Sequence, residues 1–155
     1  MASVRNDRTN RAIRLARTDD CAGLTALMLR SRAYQGRYRR IIETYPVTPA
    51  MVTSKEVWVV EEAGEIVAFY RLDLRNADLD LMFVDDDAQG SGIGRTIFEH
   101  MKSFAARRGL GEIQIVAHPP AAEFYRRMGA VDVAIHKASD ADGWDRPILK
   151  VATGR

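Results

Sequence analysis

Cysteine is almost missing from this chain: Cys21 is the single one in 155 residues. One thiol excludes an internal disulfide framework and a zinc site built from several cysteines. No apolar run approaches the roughly 20 residues of a membrane-spanning helix, so no membrane partner is expected. An excess of one charge is missing too. The chain carries 23 Lys and Arg against 21 Asp and Glu, a formal net charge of +2. That balance argues against a nucleic-acid partner, since such binders usually show a basic stripe. The opening residues MASVRNDRTNR hold no apolar stretch of the secretory-signal kind. Residues 1–10 are therefore expected to form a flexible N-terminal arm, and the protein to be cytoplasmic. No internal repeat or low-complexity linker interrupts the rest, and no spacing of His, Cys, Asp or Glu suggests a metal. What is present, 46% hydrophobic and 28% charged residues, is enough for a real core in one domain over residues 11–155.

The richest stretch runs from Asp78 to Gly109. Leu79, Leu81 and Phe83 alternate as in a buried strand. An acidic loop, Asp85-Asp86-Asp87, leads into Gln89-Gly90-Ser91-Gly92-Ile93-Gly94. Ile93, Ile97, Phe98, Met101, Phe104 and Ala105 then recur at helical spacing, and Gly109 stands where a helix would stop. A strand that feeds a glycine-rich turn and a helix N-terminus makes an anion site, because the first N–H groups of the helix lack intrahelical partners.

Around this stretch the pattern reads in order. Ala12 to Ala16 alternates as a short strand. Thr18 or Asp19 can cap a helix that buries Leu24, Leu27 and Met28. Cys21 falls in its first turn, where a thiol pKa can drop, but a lone cysteine with no histidine beside it reads as packing. Gly36 breaks the chain before a second short helix. There Tyr34 and Tyr38, among Arg32, Arg37, Arg39 and Arg40, could line a binding surface. Val57 to Glu61 and Ile66 to Leu74 form a hairpin through Glu-Ala-Gly-Glu. Glu112 to Ala117 is a strand that His118-Pro119-Pro120 ends. Ala121 to Met128 is a short helix carrying Phe124 and Tyr125 and stopped by Gly129. Val131 to Ile135 and Ile148 to Val151 are the last strands, joined by the polar loop Ser139 to Arg146. His100 and His136 read as surface residues. The order β-α-α-β-β-β-α-β-α-β-β implies an α/β fold, a mixed central sheet flanked by about four helices.

Three phosphate-cradling patterns compete for the glycine turn. A P-loop ends in Gly-Lys-Ser/Thr, but here Gly94 precedes Arg95-Thr96. A dinucleotide fingerprint has G-x-G-x-x-G early in a parallel βαβ unit, but these glycines are spaced G-x-G-x-G after three consecutive strands. The pattern Q/R-x-x-G-x-G/A fits through Gln89, Gly92 and Gly94. A second block, Glu123-Phe124-Tyr125-Arg126-Arg127-Met128-Gly129-Ala130, follows the next strand. Both blocks, in this order and on these elements, resemble the Gcn5-related N-acetyltransferase (GNAT) superfamily. The likeness extends over nearly the whole chain and is strongest to small single-domain members. Two positions depart from it: Asp86 stands where proline is frequent, and Pro120 where asparagine is frequent.

The resemblance implies an acetyl-CoA-dependent N-acetyltransferase that moves an acetyl group directly to the primary amine of a small molecule. A protein or peptide amine as acceptor, or a non-catalytic acyl-CoA-binding module, are the alternatives. Acetyl-CoA is then the co-substrate, with no metal. Backbone groups of Gln89, Gly90, Ser91, Gly92, Ile93, Gly94 and Arg95 would hold the pyrophosphate. Met82, Phe83 and Val84 would align the pantetheine arm and supply an oxyanion donor. One of Phe124 and Tyr125 would face the cofactor and the other the core. Tyr125 matches the position that protonates the departing thiolate, and an ordinary pKa of about 10 keeps it protonated. For the base, Asp80 stands first and Asp78 second, both expected on the strand face of Met82 and Val84. His118 is the other candidate, since an ordinary pKa of about 6.5 suits a base. Glu61 and Glu62 stay unranked. The acceptor pocket would come from Ser31 to Tyr45 and Ser139 to Arg146, with Tyr34 and Tyr38 in its wall and Trp144 as a lid. A homodimer through the last strands completes the expectation.

Overall fold

A computed structural model describes residues 11–139 and 143–154. The expected flexible arm and part of the polar loop after Ser139 lie outside the described residues. Strands β1 (Ala12–Leu15), β2 (Val57–Glu62), β3 (Glu65–Asp73), β4 (Asp78–Val84), β5 (Glu112–Val116), β6 (Val131–His136) and β7 (Arg146–Ala152) form one sheet in the order β1-β2-β3-β4-β5-β7-β6. Every pairing is antiparallel except β4 with β5. The helices are α1 (Cys21–Leu29), α2 (Arg40–Glu43), α3 (Pro49–Thr53), α4 (Ile93–Arg107) and α5 (Ala122–Arg127). The mixed sheet with helices on its faces is the α/β fold expected from the residue pattern.

The longest helix, α4, follows its pattern: Ile93, Ile97, Phe98, Met101, Phe104 and Ala105 are its buried residues. Each large apolar side chain so buried contributes roughly 1.5–3 kcal/mol. Gly109 stops the helix at a φ of 85°. Its N–H reaches the Ala106 carbonyl at 3.0 Å and the Leu110 N–H the Ala105 carbonyl at 2.9 Å, which satisfies two orphan acceptors of the last turn. Helix α5 ends the same way at Gly129. The second expected helix is shorter than its sequence suggests. Residues Arg32–Tyr34 and Gly36–Arg39 are 3-10 turns, and only Arg40–Glu43 is α-helical. Helix α3 was not expected, although Thr48 before Pro49 is a start signal; the Thr48 side chain accepts from the Met51 N–H.

One irregularity in β4 sets the site. Arg71 pairs with Leu81 but Leu72 with Leu79, so Asp80 is an extra residue, a β-bulge. The bulge flips the phase of the strand. Leu79 joins the α4-side core with Ile97 and Phe98. Leu81 and Phe83 join the core on the other face with Leu24, Leu27 and Ile42. Met82 and Val84 pack toward the α4 side, whereas Asp80 reaches Arg71 and Tyr45 on the α1/α2 side. The expectation that Asp78 and Asp80 share a face with Met82 and Val84 is therefore corrected. Strict alternation holds only where no residue is inserted into the ladder.

At the far edge of the sheet β6 is exposed. Val131, Val133 and Ile135 keep 64%, 52% and 57% of their surface open. Among the described residues no helix is long and apolar enough to cross a membrane.

Candidate active site

Strands β4 and β5 pair in register at a single position. Asp78 bridges Gln114, and the Gln114 N–H donates to the Ala77 carbonyl at 2.9 Å. Beyond it the two strands part, and a cleft of roughly 570 Å³ opens between them. On the α4/α5 side its wall is Gln89, Gly90, Gly92, Gly94, Arg95, Phe124 and Tyr125; on the other side it is Ser31, Ala33, Tyr34 and Asp80. The cleft thus passes through the sheet, with β4 as its floor and the buried His118 lining it beside Tyr34.

On the α4 side the glycine turn presents backbone rather than side chains. Gly90 and Gly92 both sit at a φ of 84°, the left-handed region that residues with a Cβ rarely adopt. Gly92 is the N-cap of α4, and the helical ladder starts with the Thr96 N–H to the Gly92 carbonyl at 3.1 Å. The N–H groups of Ile93, Gly94 and Arg95 precede that ladder and point out of the helix end, as an anion site requires. The side chains of Gln89 and Ser91 serve the turn itself. Gln89 Nε2 donates to the Val84 carbonyl at 3.2 Å and to Asp86 Oδ1 at 3.3 Å. Ser91 Oγ donates to the Ala88 carbonyl at 2.6 Å. Gly94 has a second reason to lack a side chain: a Cβ there would lie 3.0 Å from Phe124 Cε1.

Phe124 stands edge-on to Phe98, with ring centroids 6.1 Å apart, and to Tyr125 at 5.5 Å. Tyr125 is 7% exposed and belongs to the α4-side core, yet it also lines the cleft. Burial drives its phenol pKa well above the ordinary range, so it holds its proton at every physiological pH.

His118 is also 7% exposed. Its Nε2 lies 2.6 Å from the Ala33 carbonyl, and its ring lies flat on Tyr34 with centroids 3.7 Å apart. A carbonyl only accepts, so Nε2 carries the proton and Nδ1 carries the lone pair. That Nδ1 is buried and has no hydrogen-bond partner among the described residues. Burial pushes the His118 pKa down, so the ring stays neutral at pH 7. Behind it, Tyr38 stands edge-on to His118 at 4.6 Å and to Trp144 at 4.7 Å. Trp144, expected as a lid, is 6% exposed and backs this aromatic column instead of closing the cleft.

The two aspartates stand elsewhere than expected. Asp80 Oδ2 accepts from Arg71 Nη1 at 2.8 Å and from the Tyr45 hydroxyl at 2.7 Å. Arg71 in turn donates to Glu56 Oε1 at 2.9 Å. Burial and the bond to Asp80 push the Tyr45 pKa up to about 12. Asp78 sits at the strand junction, outside the cleft wall, and its Oδ1 is buried without a hydrogen-bond partner among the described residues. Burial and the nearby charge of Asp80 raise its pKa. Neither Arg71 nor Tyr45 was singled out from the sequence, although an arginine inside the apolar run Phe69 to Leu74 is a signal that something binds it. Glu61 and Glu62 pair with Arg14 and Arg11, away from the cleft. His100, read as a surface residue, is half-buried; its Nδ1 lies 2.9 Å from the Tyr70 hydroxyl, and Trp58 packs on its ring. Cys21 is half-buried, and burial with Asp20 raises its thiol pKa, the reverse of activation.

Among the described residues no three His, Cys, Asp or Glu side chains converge on a metal position. The family model of the acetyltransferase (GNAT) domain matches residues 38–140. A search of curated proteins found no match. Among solved structures, a GCN5-related N-acetyltransferase of Rhodopseudomonas palustris superposes with a TM-score of 0.79 at 19% identity, over 92% of this chain and 96% of that one. An acetyltransferase of Salmonella typhimurium solved with acetyl-CoA gives 0.67 at 16% identity, over 93% and 94%. The ribosomal-protein-S18-alanine N-acetyltransferase of Escherichia coli gives 0.66 at 18% identity, over 94% and 95%. At these identities the structures speak for the fold, and the family model carries the assignment: the chain belongs to the GNAT acetyltransferase family.

Proposed function

We propose that the protein is an acetyl-CoA-dependent N-acetyltransferase that acts on the primary amine of a small molecule, by direct transfer within one cleft. The observation that carries this reading is the opening through the sheet, with a glycine-turn cradle and Tyr125 on one side and His118 on the other. The residues present fit coenzyme A. The unladdered edge of β4 from Met82 to Val84 offers backbone groups to an amide-bearing arm. The N–H groups of Gly90 to Arg95 suit a pyrophosphate, and Arg95 adds a cation at the rim. When bound, acetyl-CoA supplies an activated acyl group and a thiol leaving group.

The chain's own residues supply the rest. An amine must lose a proton before it can act as a nucleophile, and the His118 Nδ1 lone pair is neutral, buried and unengaged. The Ala33 carbonyl fixes the tautomer that leaves Nδ1 free. Tyr125 keeps its proton and can donate it on the opposite side of the cleft. A backbone N–H of the Met82 to Val84 edge is the donor for developing negative charge on the acyl oxygen. Asp80, with Oδ2 already held by Arg71 and Tyr45, shapes the acceptor side. Asp78 is outside the cleft. His118 therefore takes the base role ahead of both aspartates.

Tyr34, Tyr38 and Trp144 make an aromatic wall behind His118, which favours a compact acceptor over an extended peptide. A homodimer belongs to the same reading. Strand β6 is an edge with three exposed apolar side chains and neither proline nor lysine to guard it, so a second copy pairing along it would cover them. Location in the cytoplasm completes the proposal.

The test is thiol release from acetyl-CoA across a panel of small amines and short peptides, together with the thermal shift caused by coenzyme A. Turnover with small amines is expected. Turnover with peptides alone would shift the reading to a protein acceptor. A thermal shift without any turnover would make the protein an acyl-CoA-binding module.

A further inference from the structure

The donor and acceptor sides of the cleft meet at one carboxylate. Asp86 Oδ1 accepts from Gln89 Nε2 at 3.3 Å. Its Oδ2 accepts from the Arg32 backbone N–H at 3.0 Å and from Arg32 Nε at 3.3 Å. Gln89 opens the glycine turn. Arg32 opens the 3-10 turn Arg32–Tyr34, whose second residue gives the carbonyl that holds His118 Nε2 and whose third gives the ring stacked on His118. Asp85 adds a second strut beside the first. Its Oδ2 accepts from Arg30 Nη2 at 2.6 Å, and its Oδ1 accepts from the Asp87 N–H at 3.1 Å.

We propose that Asp86 is a positioning residue that couples the glycine turn to His118, so that filling the cradle on one face of the sheet aims the base on the other. The proposal rests on the reading of His118 as the base. The coupling is short and made of fixed links. A backbone N–H bonded to a carboxylate places the Ser31–Arg32 peptide. The Ala33 carbonyl follows one residue later, and it sets the direction of the imidazole. A displacement of about 1 Å at a reacting group can cost a hundredfold in rate, so modest drift of this turn is enough to misaim Nδ1. An anion held by the N–H groups of Gly90 to Arg95 orders the turn that Gln89 begins, and Asp86 carries that order to Arg32. The effect on binding is reciprocal: an acceptor that orders Arg32–Tyr34 tightens coenzyme A by the same factor.

Hydrogen exchange with and without coenzyme A tests the link in the unaltered protein. Protection is expected at Gly90 to Arg95 and also at Arg32 to Tyr34, on the opposite face of the sheet. Protection confined to the glycine turn overturns the coupling. With Asp86→Ala the first protection is expected to persist and the second to disappear. In turnover, Asp86→Ala is expected to lower kcat roughly ten- to hundredfold with little change in KM for acetyl-CoA. In a His118→Ala background the same change is expected to add almost nothing, because Asp86 acts through His118. An equal fold-loss in both backgrounds overturns the proposal. An unchanged kcat and acid limb in His118→Ala alone removes the base reading, and the exchange experiment separates that result from a failure of the coupling.

Discussion

His118 donates through Nε2 to the carbonyl of Ala33, 2.6 Å away, and the lone pair of its ring is thereby left on a buried Nδ1. In the base role proposed above, the ring works only when neutral. Burial holds its pKa below the ordinary value of about 6.5, so it is neutral across the physiological range. The acid limb of kcat/KM is expected to fall below pH 6.5 and to vanish in His118→Ala, with kcat reduced roughly a hundredfold. Stability follows the same sign. The unfolded chain takes up the proton first as pH falls, so the folded state loses stability from about pH 6.5 downward through the folded-state pKa. His118→Gln should flatten the Tm curve over that window. A Tm curve unchanged by the substitution, together with an intact acid limb, removes His118 from the role.

In the mechanism proposed above, Tyr125 supplies the complementary proton. Its pKa is raised by burial alone, so no alkaline limb below pH 10 is expected to come from it. Tyr125→Phe keeps the ring between Phe98 and Phe124 and removes only the hydroxyl. We expect kcat to drop about a hundredfold while KM for acetyl-CoA stays within about twofold. Steady-state thiol release measures both. A rise in KM at constant kcat would instead mean that the hydroxyl binds and does not donate.

Helix α4 and its stop were readable because each rests on local chemistry, six apolar residues at helical spacing and one glycine at positive φ. The strand before it was only half readable. Leu79, Leu81 and Phe83 are all buried, as their alternation says, but in two different cores, because Asp80 is inserted between them. A bulge is a property of two strands together and leaves no mark in one strand's pattern. The run Asp85-Asp86-Asp87 was equally opaque. Its partners Arg30 and Arg32 are more than 50 residues away, and only the fold brings them beside the glycine turn. His118 was visible as a candidate, but its standing came from Ala33 and Tyr34, which no spacing rule connects to it.

Gly94 and Gly92 should fail for different reasons when changed to alanine. At Gly92 space is open but φ is 84°, so Gly92→Ala costs roughly 1–2 kcal/mol in backbone strain and leaves Phe124 where it is. At Gly94 the backbone is helical, but the new Cβ meets Phe124 at 3.0 Å. The ring packs edge-on against Phe98 and Tyr125, so its shift passes to them, at about 1–3 kcal/mol. Gly94→Ala should therefore also lower kcat by shifting Tyr125, whereas Gly92→Ala should act on coenzyme A affinity. Urea melts and calorimetric titration with coenzyme A separate the two. Equal kcat in both variants would show that Phe124 does not set the position of Tyr125.

Asp78 gives the sharpest contrast between a charge kept for chemistry and a charge that the fold tolerates. It sits where β4 and β5 separate, with Oδ1 buried and no hydrogen-bond partner for it among the described residues. Burial and Asp80 raise its pKa. The folded state then holds this proton more tightly than the unfolded chain does. Stability contributed by the protonated form is full below the ordinary carboxylate pKa of about 3.9 and is lost as pH rises through the folded-state value. Above that value the ionised group weakens the fold. Asp78→Asn removes that charge and keeps the shape, so Tm at pH 7 is expected to rise, with the difference shrinking toward pH 4. Turnover should be nearly unchanged, because the side chain lies outside the cleft. A Tm that does not rise would mean that a bound water or a shifted partner satisfies Oδ1. A large loss of kcat at unchanged Tm would return Asp78 to the base role and displace His118 from it.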